Sequence, residues 1–207
     1  MNGGTTEQKG FTLPEILVSM SIFVVITTAV VANFRASEQS SQLRLGAQAV
    51  ASTLRSLQTM AQTGRLTELC DDATGAVCTG NVAACVTTTV CRPALPRGGY
   101  GIQITKNENA VTLFADGNQN HLLDSGEILS DMFLNLPRNV IIDGATTPYD
   151  LTTSVFTIAF KPPDPTVWIN AATRESEARI VLRHEKTGNT KTIVLRRISG
   201  RIEIESR

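Results

Sequence analysis

The chain has 207 residues, with 19 Lys plus Arg balanced by 19 Asp plus Glu, so no net charge draws it as a whole towards nucleic acid or a basic partner. That length allows one small domain with an appendage, or at most two compact units. Its 42% hydrophobic content is ordinary but unevenly spread, with one long apolar run ahead of a chain of soluble-domain polarity. This asymmetry reads as a membrane anchor followed by a water-facing head.

The first ten residues, MNGGTTEQKG, are polar. From Leu13 to Ala32 the only formal charge is Glu15, and at ~1.5 Å per residue that run crosses a ~30 Å hydrocarbon layer. A secretory signal would have a basic start, a shorter apolar core and a small-residue cleavage site after it, so this run does not read as one. Pro14 suits a first helical turn, where a missing N–H costs nothing. Glu15 is the oddity, because a carboxylate at a helix centre in a bilayer costs about 2.5–3.5 kcal/mol on insertion scales, and such residues are usually functional and paired. Near a helix N-terminus the macrodipole lowers that cost. A cut after Gly10 would give Phe11 a new ammonium, with Glu15 the fifth residue of the shortened chain. Ammonium and carboxylate from neighbouring copies would then neutralise each other inside a helical bundle.

The stretch Lys9-Gly10-Phe11-Thr12-Leu13-Pro14-Glu15, followed by the apolar helix, resembles the processing signature of type IV pilins and type II secretion pseudopilins. The resemblance implies a prepilin peptidase that cuts between Gly10 and Phe11 and methylates Phe11, and a Glu15 that guides subunit assembly. It implies a single-pass protein of the bacterial inner membrane with its head outside the cytoplasm, later built into a periplasmic or extracellular filament with other pilin or pseudopilin subunits.

Beyond the span, Leu43, Ala47, Val50, Leu54, Leu57 and Ala61 form a one-sided apolar stripe that predicts a continued amphipathic helix docked on the protein's own sheet. Gly46 is the weak spot in that helix and Gly64 its stop. Four cysteines follow, Cys70, Cys78, Cys85 and Cys91, spaced by eight, seven and six residues in an irregular stretch. The spacing lacks the C-x-x-C pairs of a zinc or redox site, and outside the cytoplasm an even count reads as disulfides. Of the three possible pairings, nested Cys70–Cys91 with Cys78–Cys85 is preferred.

From Gly99 onward the chain reads as strands. YGIQITK and AVTLFAD alternate around Asn107-Glu108-Asn109 as a hairpin, and EILSDMFL, NVIID, SVFTIAF, TVWIN, ARIVLRHE, TKTIVLRRI and GRIEIESR follow. The expected fold is α+β: a long N-terminal helix packed on an antiparallel, mostly consecutive β-sheet head, pilin-like in layout. Tyr100-Gly101-Ile102 and Ser199-Gly200-Arg201-Ile202 are similar to features of GspH/FimT-type minor pseudopilins. The expected segments are a cleaved leader at 1–10, an assembly helix at 11–34, its amphipathic continuation at 35–63, a cysteine-containing loop or insertion at 64–98 and the β head at 99–207.

In DGNQNHLLDSGE, oxygen side chains fall at positions one, three, five, nine and twelve: Asp116, Asn118, Asn120, Asp124 and Glu127, with the Leu122 carbonyl at seven. That is the ligand spacing of a calcium loop, departing from it at His121, where glycine is usual, and in its flanking strands. The alternative is two polar turns, Asp116-Gly117 and Ser125-Gly126, joining strands. Enzyme readings find no support: His121 and His184 are the only histidines, neither sits beside a nucleophile motif, and no phosphate loop appears. His184 reads as a strand surface residue, and Trp168 and Phe160 as core.

Three functions compete. The first is a structural minor pilin or pseudopilin, incorporated into or priming a type IV pilus or type II secretion filament. The second is a filament subunit that captures DNA, resting on Arg196, Arg197 and Arg201, among which Glu203 and Glu205 interleave. The third is an uncleaved membrane-anchored binding protein.

Overall fold

The computed structural model describes residues 12–72, 77–79, 88–124, 126–147, 154–163, 166–171 and 175–205. Gly10, Phe11 and Cys85 lie outside them. Helix α1 runs Leu13–Thr63. The chain divides into two compact units, Met1–Ser40 and Ser41–Arg207. The first contains the apolar run Leu13–Val31, which has a mean hydropathy of 2.0 and no buried residue. Its hydroxyls do not interrupt the helix: Ser19, Ser21, Thr27 and Thr28 each donate to the carbonyl four residues back.

The second unit is a head of α+β class, in which the stretch of α1 from Ser41 onward packs on antiparallel sheets. Every residue of the predicted stripe, Leu43, Ala47, Val50, Leu54, Leu57 and Ala61, is buried, and Ala51 and Met60 extend it. Gly46 has a packing reason: a Cβ there would meet Pro137 and Val140 at 3.3 Å. The helix ends at Gly64, whose φ of +64° continues into a hydrogen bond from Arg65 N to Met60 O. The Tyr100 hydroxyl, buried and pushed up to about 12 in pKa by desolvation, donates to the Arg65 carbonyl and ties this helix end to the sheet.

Among its described residues, the stretch read as an irregular loop carries strands β1 (Thr67–Asp72), β2 (Val77–Thr79) and β3 (Thr88–Ala94), in the order β2-β1-β3. Cys70 sits opposite Cys91 in the β1–β3 register and the two form a disulfide. Cys78 sits opposite Cys70 on the other side of β1. Sequence pattern missed these strands because alternation is broken there by Asp, Gly, Pro and Cys. By limiting the unfolded chain, the Cys70–Cys91 bridge is expected to add about 3 kcal/mol, so the urea midpoint should fall on reduction. We propose that Cys78–Cys85 closes the second bridge. Thiol labelling of exported, unreduced protein should then find no free cysteine, and four labelled thiols would reject both bridges.

The rest of the head is two sheets, where one mostly consecutive sheet was expected. Strands β4 (Gly99–Thr105), β5 (Ala110–Asp116), β6 (Ile128–Asn135), β8 (Val155–Lys161) and β9 (Thr166–Ile169) order as β6-β5-β4-β8-β9. Strands β7 (Val140–Thr146), β10 (Glu177–His184), β11 (Thr190–Arg196) and β12 (Ile202–Glu205) order as β12-β11-β10-β7. The break falls between β6 and β7, where Pro137 lacks a ladder donor, Val140 N closes a turn onto Pro137 O, and Asn139 takes φ +61°. The chain thus leaves the first sheet, and β7 pairs with β10. Both sheets contribute to one core with the helix. Strand β10 buries every second residue, Ala178, Ile180, Leu182 and His184, whereas β4 is almost wholly buried. Trp168 and His184 depart from expectation. Trp168 is only partly buried and lies outside the core cluster, while His184 is buried, its Nδ1 3.2 Å from Thr187 Oγ1.

Candidate functional site

The first helical turn is built by its own sequence. Thr12 precedes the helix, Pro14 occupies the first turn, and Glu15 N donates to Thr12 O at 3.1 Å. The Glu15 carboxylate reaches back to Thr12, with Oε2 3.4 Å from both Thr12 N and Oγ1. A threonine whose backbone N–H is met by the glutamate three residues on is half of a capping box. Glu15 therefore has a local task, satisfying an orphan donor and facing the positive helix end, besides any task towards another subunit. The T-x-x-E spacing from Thr12 to Glu15 is the sequence signal of this cap.

The loop after β5 is the densest polar cluster of the head. Asp116 is fully buried, its Oδ1 accepting from Gln119 N at 2.7 Å and its Oδ2 from His121 N at 2.8 Å. Asn118 Oδ1 accepts from Asn120 N, and Asn120 Oδ1 from Leu122 N. Asp124 Oδ2 takes the amide donors of both Asn118 (2.6 Å) and Asn120 (2.7 Å). Glu127 is also buried, accepting from Gly117 N at 2.8 Å and Asp124 N at 3.3 Å. Gln119 and His121 take φ +68° and +61°. His121 thus adopts the left-handed conformation that glycine was expected to supply. It can hold it because its ring stacks on Trp168, centroids 4.0 Å apart, with Nδ1 3.0 Å from Asp116 Oδ2.

The predicted donors are therefore gathered in one loop, but its carboxylates are met by protein donors. Among the described residues no three His, Cys, Asp or Glu side chains converge as a metal-holding group. Burial governs the titration of this cluster. Desolvation pushes Glu127 up to about 7, against the opposing effect of its two backbone donors, and lowers His121 despite the attraction of Asp116. Glu127 binds its proton more tightly folded than unfolded. Its protonated form favours the fold fully below the ordinary carboxylate range, and that contribution disappears as pH rises through about 7. Urea titrations at pH 5 and about 8.5 should show a stability loss on the order of a few kcal/mol that Glu127→Gln abolishes. An equal pH slope in both proteins would reject this role for Glu127.

The three C-terminal arginines are not one basic patch. Arg201 Nη2 lies 2.6 Å and Arg196 Nε 3.9 Å from the Glu203 carboxylate, while Arg197 Nε donates to the Glu175 carbonyl at 2.8 Å. One glutamate thus offsets two of the three charges.

Residues 6–31 match the family model described as the prokaryotic N-terminal methylation motif. The chain carries a type IV pilin-like prepilin signal. The match spans Gly10, Phe11 and Glu15 and marks a structural, pilin-type protein rather than an enzyme. No curated protein and no solved structure matches the chain.

A prepilin signal implies a prepilin peptidase as processing partner and assembly with other pilins. The apolar run behind it agrees with membrane anchoring. Sequence reasoning missed Thr12 as the partner of Glu15 and Trp168 as the support of His121. The second had no sequence signal, since 47 positions separate the two rings and only the fold brings them together.

Proposed function

We propose that this protein is a minor pilin or pseudopilin, cut between Gly10 and Phe11, methylated on Phe11, and incorporated into or priming an extracytoplasmic filament of a type IV pilus or type II secretion system. The observation that carries this reading is the methylation-motif match at residues 6–31, with the apolar helical run Leu13–Val31 inside it and an α+β unit following it in the chain. The helix serves as an anchor in the inner membrane before assembly and as a packing element in the filament, with Glu15 supplying the charge that meets a neighbour's new N-terminus. The head stands outside the cytoplasm, where a Cys70–Cys91 disulfide persists. Mass spectrometry of native protein from cells with an active prepilin peptidase should find a chain beginning at methylated Phe11. Recovery of intact Met1 would sink the proposal and leave an uncleaved membrane-anchored binding protein. DNA capture through Arg196, Arg197 and Arg201 has less support, because phosphate binding requires clustered bases and Glu203 pairs with two of them.

For the Asp116–Glu127 loop we propose weak calcium binding, supported by the ligand spacing and by the left-handed backbone at Gln119 and His121. Asp116, Asn118, Asn120, the Leu122 carbonyl, Asp124 and Glu127 would hold the ion, and Asp124 would release the two asparagine amides. An ion would neutralise Glu127 and so offset its cost at neutral pH. Melting the protein in chelator and then in calcium at about millimolar concentration should raise the midpoint through binding linkage, with no rise in Asp124→Ala. An unchanged midpoint together with no calorimetric signal would leave two ordinary polar turns.

A further inference from the structure

A cleft of about 410 Å³ opens on the head beside the last turns of α1, lined by Gln58, Gln62, Thr166, Arg197, Ser199 and Gly200, among others. Its chemistry is one-sided. Two carboxamides one helical turn apart, two hydroxyls and a guanidinium line it, and among the described residues no acid does. Arg197 is held in place through Nε, which donates to the Glu175 carbonyl, and its terminal nitrogens have no partner among the described residues. Arg196 and Arg201 face Glu203 instead, so Arg197 is the arginine of the three whose charge is left to the cleft. The Glu175 carboxylate is buried but makes no ion pair with Arg197 and does not line the cleft. Gly200, at φ +63°, completes the wall. A Cβ there would stand 2.5 Å from Gln58 Nε2 and push that amide aside.

We propose that this cleft binds a carboxylate carried on a peptide. With Nε already occupied, a guanidinium offers its two terminal nitrogens as a flat fork that a carboxylate meets with two parallel hydrogen bonds. The carboxamides and hydroxyls supply the further donors and acceptors that a flanking peptide bond needs. Among the described residues the cleft has one base left uncompensated, which suits one anionic group, whereas a nucleic-acid backbone needs several phosphates met in a row. Among the described residues the lining holds no aromatic platform, which argues against a sugar ring or a stacked base. The proposal rests on the head alone and holds whether or not the N-terminus is cleaved.

The test uses the full chain in detergent and three alanine-based peptides carrying an uncharged fluorophore: one with a free C-terminal carboxylate, its C-terminal amide, and an amidated peptide with one internal aspartate. Fluorescence anisotropy should show saturable binding of one or both carboxylate peptides, at least about tenfold tighter than the neutral amide. Which of the two binds tells a chain end from an acidic side chain. Arg197→Gln should remove the preference for carboxylate, Arg197→Lys should keep part of it, and Arg196→Gln should leave it unchanged. Equal binding of the amide and both acids by the unaltered protein would overturn the proposal, and that comparison needs no variant to fold. No saturable binding up to about 1 mM peptide, or tighter binding of an oligothymidine than of either acid, would overturn it as well.

Discussion

Replacing Glu15 with alanine or with glutamine is expected to leave membrane insertion intact and to reduce incorporation into the filament by about tenfold or more. The two substitutions separate helix capping from the proposed assembly role. Within its own chain Glu15 caps the helix by accepting from Thr12, 3.4 Å away, a contact that a glutamine oxygen reproduces. In the proposed assembly it would offer a neighbouring subunit's new N-terminal ammonium a negative charge, which glutamine does not supply. In hydrocarbon, an ion pair that loses one partner leaves the other charge buried and unmatched, at a cost of about 3–5 kcal/mol. A lost cap costs only about 1 kcal/mol. The assembly role therefore predicts that Glu15→Gln fails as badly as Glu15→Ala, with cleaved monomer accumulating in the membrane. Incorporation of Glu15→Gln at the unaltered level, with Glu15→Ala impaired, would assign the residue to helix capping alone. Quantifying the protein in sheared filaments against the membrane fraction gives the answer.

Gly101→Ala is expected to destabilise the head by about 3 kcal/mol or more and to leave much of the protein insoluble. Gly101 lies in the middle of β4, between Phe114 on β5 and Ala159 on β8. A Cβ there would stand 2.4 Å from Phe114 Cζ and 2.7 Å from the Ile158 carbonyl oxygen. The phenylalanine ring is fully buried and the carbonyl belongs to the adjoining strand, so neither yields without shifting the sheet. The same addition at Gly144 meets nothing within 4 Å, which makes Gly144→Ala the matched control. Urea denaturation of both variants in detergent measures the difference. Equal midpoints would show that the sheet opens at Gly101 more readily than this packing implies.

The local features of the molecule were legible from sequence because short-range physics fixes them. A long apolar run, here with one charge near its start, can satisfy its backbone in lipid only as a helix, so Leu13–Val31 needed no tertiary information. The stripe from Leu43 to Ala61 named its buried face, since helical period and burial are the same statement. Gly64 ended the helix where a left-handed residue was required. Alternation likewise located the strands from β4 to β12, and the methylation motif matched at residues 6–31 was legible in the stretch from Lys9 to Glu15.

Partnership across the sheets was decided only by the tertiary structure. Alternation tells which side of a strand is apolar but not which strand lies beside it, so the split after β6 and the pairing of β7 with β10 could not be read off. The strands around Cys70 escaped because cysteine, aspartate and proline carry no two-residue period, while their register is set by cross-strand contacts. The loop from Asp116 to Glu127 shows the division within one motif. Its oxygen spacing is a property of the chain, but the burial of Asp116 and Glu127, the raised pKa of Glu127 and the Trp168 ring beneath His121 come from distant strands. Charge and spacing are written residue by residue, whereas desolvation depends on everything that packs around a group, and only the folded chain supplies that.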